Sequence, residues 1–116
     1  MDLEKLTNLL QEFADNRDWN QFHTPKNLVM ALSGEVGELM ELFQWLTPEQ
    51  SEDLTKDPTG RQRVEEELAD VFQYVVRLAD ILEVDLEQAL LAKLQLNKKR
   101  YPVHKSRSNA AKYSDL

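Results

Sequence analysis

The chain has 116 residues, 41% hydrophobic and 30% charged, with three Gly and four Pro, the balance of one globular, helix-rich domain; disordered, collagen-like and loop-dominated chains are excluded. No Cys and only two His exclude disulfide scaffolds, thiolate zinc sites and cysteine nucleophiles, and lead us to expect a reducing compartment, the cytoplasm. Twenty-one acidic against fourteen basic residues give a net charge of −7, which argues against a nucleic acid polymer as partner.

The N-terminus mixes Asp2, Glu4 and Lys5 among its leucines, and the longest apolar run is 28–32, so neither a signal peptide nor a membrane span is expected. Leu3, Leu6, Leu9, Leu10 and Phe13 recur at helical spacing and predict helix one, closing at Asn16 before a polar stretch. Thr24 and Pro25 read as an N-cap and first helical residue, and Leu28, Leu32, Val36, Leu39, Leu42 and Leu46 carry helix two to the Thr47-Pro48 break. Polar residues between Pro48 and Gly60 predict a mobile loop, a candidate lid.

Helix three is expected from about Arg61 to Glu83, on Val64, Leu68, Val71, Val75, Leu78 and Leu82. Asp85, with Gln88 three residues on, reads as a capping box that opens helix four, which ends near Pro102. Residues 103–116 form a basic polar tail without a core pattern. No strand pattern or repeat appears, so the fold class is all-α: a four-helix bundle over 1–102 followed by the tail. The apolar arcs of helices two and three are wide enough to face another subunit as well, which predicts a homo-oligomer, a dimer or a dimer of dimers.

Acidic helices usually present a solvated face, so only the angular position of each carboxylate is informative. At about 100° per residue from Leu28, Leu32 lies at about 40°, Leu39 at about 20° and Glu35 at about 340°, inside the apolar stripe, with Glu38 at its edge at about 280°. On helix three, counted from Val64, Glu67 falls at about 300°, Tyr74 at about 280° and Asp70 at about 240°, whereas Glu65 and Glu66 fall at about 100° and 200°. Carboxylates in an apolar face repel one another and lose hydration unless a cation joins them. Two i,i+3 pairs on facing helices bring four hard oxygen donors together, a set suited to Mg²⁺ or Mn²⁺. Gly34 and Gly37 leave room beside them for a close neighbour or ligand. The bland readings are a pairing with Arg63 or Arg77, or a polar gap in an oligomer interface.

On helix four Lys93, Asn97 and Arg100 share the arc of Leu86 and Leu90, so Lys93 and Arg100 are candidates for phosphate oxygens and Asn97 for phosphate or sugar. Tyr101 follows as a further candidate. Trp19 and Trp45 are the expected flat stacking surfaces for a ligand, His23 a ligand contact or only a helix-entry residue, and Tyr74 a hydroxyl one turn after Asp70.

Glu35-x-x-Glu38 and Glu67-x-x-Asp70, with 28 residues between Glu38 and Glu67, resemble the signature of the MazG-type nucleotide pyrophosphohydrolases. The stretches Arg17-Asp18-Trp19, Gln21-Phe22-His23, residues 34–39, Phe43-Gln44-Trp45, 97–102 and Lys112-Tyr113 extend the resemblance along nearly the whole chain, toward the dCTP pyrophosphatase branch. It implies Mg²⁺-dependent cleavage of dCTP or a 5-modified dCTP to the monophosphate and pyrophosphate, Glu35, Glu38, Glu67 and Asp70 as metal ligands, and Glu35 or Glu38 as the group that orients or deprotonates water. Leu10 is a departure: it occupies a helix-one position that carries a base-contacting His in vertebrate members. The competing class is a non-catalytic helical oligomerisation module with an acidic seam, which does not account for Glu35 and Glu67 inside the apolar stripes.

Overall fold

The computed structural model describes residues 1–116, all of them in helices, turns or short connections. In chain order these are α1 (Leu3–Asn16), α2 (Pro25–Glu41), α3 (Pro48–Asp53), α4 (Pro58–Ile81), α5 (Leu86–Arg100) and α6 (Val103–Ser106), with 3-10 turns at Leu54–Lys56 and Tyr113–Asp115. The class is all-α, as expected, and the four long helices are those that the periodicity predicts. Each begins at a capped residue: the side chains of Asp2, Thr24, Asp57 and Asp85 accept from the backbone N–H groups of Lys5, Asn27, Gly60 and Gln88. Every such bond satisfies a donor that has no partner inside the helix. Pro25 and Pro58 stand in the first turn, where a missing N–H costs nothing.

Three segments differ from the sequence expectation. Helix α2 stops at Glu41, short of Leu46, because the chain tightens there: Leu42 N–H donates to the carbonyl of Leu39 and Phe43 N–H to that of Met40, and turns follow. The expected mobile loop 48–60 is instead α3 and a 3-10 turn. Thr47 and Gln50 cap α3 reciprocally, at 3.1 and 3.0 Å, so cap chemistry holds a helix that has no apolar anchors. The Asp57 cap then starts α4 at Pro58, three residues before Arg61. The tail also has structure of its own: the Tyr113 ring meets Tyr101 edge-on at 6.0 Å and lies 4.6 Å from the Arg100 guanidinium.

The chain forms two compact units, Met1–Glu83 and Val84–Leu116. In the first, α1 and α2 each pack on α4. The buried apolar set is small, Ala14, Leu28, Val64, Val76 and Ala79, and one polar residue, Arg77, is buried as well, at 3% exposure. Val36 and Met40 of α2 and Leu68 and Phe72 of α4 stay exposed. In the second unit, Leu90, Leu91 and Leu94 of α5 are likewise exposed. No helix is long and apolar enough to cross a membrane.

One backbone approach fixes how α4 starts. A Cβ at Gly60 would stand 2.3 Å from the carbonyl oxygen of Leu54 in the preceding 3-10 turn, so only glycine fits there. Gly60→Ala is expected to destabilise the chain by roughly 1–3 kcal/mol through overpacking, read as a lower urea midpoint with an unchanged slope.

Candidate active site

Helix periodicity aims four carboxylates at one place. Packing of α2 on α4 brings oxygens of Glu35, Glu38, Glu67 and Asp70 within 4.8 Å of one another, with Glu38 exposed and the other three half-buried. Glu35 Oε2 and Glu67 Oε2, one from each helix, are buried and have no hydrogen-bond partner. Native structures rarely leave buried polar atoms unpaired, and two carboxylate oxygens side by side are the worst case. Neither arginine relieves them. Arg63 is exposed and Arg77 forms its ion pair with Asp80, at 3.4 Å. The donors are all hard oxygens at i,i+3 spacing, and they fit a small divalent cation.

Electrostatics reports the same tension. Burial, and then the neighbouring carboxylate of Glu38, with the charges of Asp70 and Glu67 added, push Glu35 up to about 7. Glu67 is raised as well, chiefly by burial and then by Glu38. The Tyr74 hydroxyl is raised by burial and by the charges of Glu35 and Asp70, which places this phenol beside the cluster. The close neighbour expected at Gly34 and Gly37 is not supplied by this chain, since a Cβ at either would meet nothing within 4 Å.

Tyr74 also lines a cavity of about 170 Å³ with Leu10, Phe13, Trp19, His23, Gln73 and Arg77. Trp19 follows Asp18, whose φ of 54° turns the chain sharply after α1, and its ring packs edge-on against Phe13 at 5.5 Å and His23 at 6.2 Å. Trp19, His23 and Tyr74 are thereby brought together. Trp45 is not among the lining residues and is 86% exposed in the turn after α2. In the second unit, Lys93 is exposed and Asn97, Arg100 and Tyr101 are half-buried at the end of α5. The sequence reading passes over Arg77, Gln73 and Phe13 as cavity residues, whereas Leu10, singled out there as a departure at a base-contacting position, does line the cavity. A signal for Arg77 exists, because at about 220° from Val64 it lies next to the Asp70 direction, about two turns on.

Residues 30–116 match the sequence model of the MazG-like family. This chain belongs to that family. Among its relatives, dCTP pyrophosphatase 1 of Bos taurus is 52% identical over 114 residues, covering 98% of this chain and 68% of the relative. The Homo sapiens protein of the same name is 49% identical, covering 98% and 67%. The crystal structure of a pyrophosphatase from Archaeoglobus fulgidus superposes with a TM-score of 0.82 at 38% identity, covering 88% of this chain and 94% of that one. The all-α MazG-like fold expected from the carboxylate motif is therefore the fold of this chain.

The raised carboxylates give this MazG-like chain a pH dependence of definite sign. Between the ordinary glutamate range and about 7, the folded chain holds more protons than the unfolded one, so stability falls as pH rises. In chelator, the melting temperature is expected to drop from about pH 5 to about pH 8, and Glu35→Gln to flatten that drop. Added Mg²⁺ should raise the melting temperature at about pH 8 much more than at about pH 5, in a thermal-shift series.

Proposed function

We propose that this chain hydrolyses the α–β phosphoanhydride of dCTP or a 5-modified dCTP to the monophosphate and pyrophosphate, with Mg²⁺, or Mn²⁺ in its place, held by Glu35, Glu38, Glu67 and Asp70. The observation that carries the reading is the pair of buried, partnerless oxygens on Glu35 and Glu67 inside a four-carboxylate cluster. The names of the relatives, dCTP pyrophosphatase 1, support both reaction and base. A purely structural helical module gives no reason for those oxygens to be there.

When bound, the cation supplies charge neutralisation for the triphosphate and Lewis acidity at phosphorus and water. The chain's own groups do the rest. Glu35 or Glu38 orients the attacking water and receives its proton. The cavity edged by Trp19 and Phe13 takes the flat base, and Tyr74, which borders both cavity and carboxylates, offers its hydroxyl where sugar meets phosphate. Lys93 and Arg100 are the groups proposed for phosphate oxygens, Asn97 for phosphate or sugar, Tyr101 for a further substrate contact and Trp45 for a second stacking surface. The exposed Val36, Met40, Leu68 and Phe72 support a homo-oligomer, dimer or tetramer, and the absence of Cys suits a cytosolic setting.

Pyrophosphate release from a panel of canonical and 5-modified nucleoside triphosphates tests this. Release from dCTP in Mg²⁺ and none in chelator is expected, and Glu38→Ala should lower kcat/KM by at least about a hundredfold, more than loss of a supporting residue costs. Release from a different nucleotide would retain the chemistry and discard the base, and release from none would discard the enzyme.

A further inference from the structure

Arg77 is a cation in the wrong place for simple packing. It sits on α4 at 3% exposure, and a buried guanidinium must find acceptors for its five N–H groups. Its Nη2 donates to Oδ1 of Asn20 at 2.6 Å, and its Nη1 donates to Oε1 of Gln11 and more weakly to Oδ2 of Asp80 at 3.4 Å. Its Nε donates to Nδ1 of His23 at 3.0 Å, across 54 residues of sequence. Most of these acceptors are neutral, and they are held in place from behind. The amide groups of Gln11 and Asn20 both donate to Oδ1 of Asp15 at 2.6 Å, which turns their oxygens toward Arg77. Those two bonds keep the Asp15 carboxyl below its usual range, so the anchor stays charged.

The consequence falls on His23. Arginine N–H groups only donate, so Nδ1 of His23 must present its lone pair, and in a neutral imidazole the proton is then on Nε2. Burial, and then the charge of Arg77, lower the pKa of the ring, so it stays neutral. His23 lines the cavity beside Trp19, and its Nε2 makes no hydrogen bond within the chain.

We propose that Arg77 is a positioning residue for base recognition: by donating to Nδ1 it holds His23 as a fixed Nε2–H donor aimed at the N3 acceptor of a cytosine ring in this cavity. The inference rests on the proposed reading of the cavity as the base site. Cytosine carries a lone pair at N3 where uracil carries N–H, so the tautomer set by Arg77 accepts one base and leaves the other with two donors face to face. A site built to meet a hydrogen-bonding edge rejects the mismatched edge strongly.

Long-range ¹H–¹⁵N correlation spectra of the whole, unmodified chain read which ring nitrogen of His23 carries the proton. We expect Nε2–H alone at neutral pH, with its signal displaced by dCMP and not by dUMP at equal concentration. In parallel, Arg77→Lys is expected to give a mixture of tautomers and to cut the preference for dCTP over dUTP at least about tenfold, the loss carried by KM. A proton on Nδ1, a His23 signal unmoved by saturating dCMP, or an unchanged dCTP to dUTP ratio in Arg77→Lys would each overturn the proposal. Should that variant fail to fold, the spectra of the unmodified chain decide alone. Wild-type chain that releases no pyrophosphate from dCTP brings down the enzyme reading, and the base proposal with it; hydrolysis with the wrong tautomer brings down the positioning role only.

Discussion

The repulsion among four carboxylates gathered between α2 and α4 is the constraint around which the first unit is arranged. Helix packing places them within 4.8 Å of one another, on helices whose buried residues include Leu28, Val64 and Val76. The usual remedy would be an arginine. This chain keeps its one buried arginine seven residues beyond Asp70, about 10 Å along the helix, and surrounds it with amides, an imidazole and a single loosely placed carboxylate. Opposite charges that could cancel are thus kept apart. The acids remain available to an outside cation, and the guanidinium remains available to shape the cavity.

Tyr74 stands where those two charge systems meet. One turn after Asp70, it feels the acidic cluster through its hydroxyl and lines the cavity with its ring. A nucleotide is itself divided in this way, a flat neutral base at one end and a dense negative charge at the other. The proposed reaction needs both ends held at once, and a single stretch of α4 from Glu67 to Arg77 contributes to each. Both α1 and α2 pack on that helix, so the groups they carry meet it from either side of the same stretch.

What could be read in advance follows from the range over which each feature is determined. The inward facing of Glu35 and Glu67, against the outward facing of Glu65 and Glu66, is a property of one helix and its period, so residue order alone displays it. Helix starts at Asp2, Thr24, Asp57 and Asp85 are equally local, each resolved within four residues. Helix α3 was local too, in Thr47 and Gln50, but its lack of apolar anchors disguises it as loop. The bond from Arg77 to His23 has no such local trace. It depends on the sharp turn at Asp18 and on how α1 lies on α4, and no periodicity encodes either. For the same reason Trp19 and Trp45 look alike in the sequence, while only Trp19 lines the cavity.

The relay from Asp15 through Gln11 and Asn20 to Arg77 and His23 has a consequence for how such a protein can vary. Each member orients the next, so exchanges at the five positions are coupled and do not simply add. Arg77 is the buried member, so its exchange unpairs Gln11, Asn20 and His23 at once, whereas an exchange at the exposed Asp15 or Asn20 leaves groups that water can satisfy. Drift around this cavity should therefore be graded, free at the watered rim of the relay and halted at its guanidinium centre.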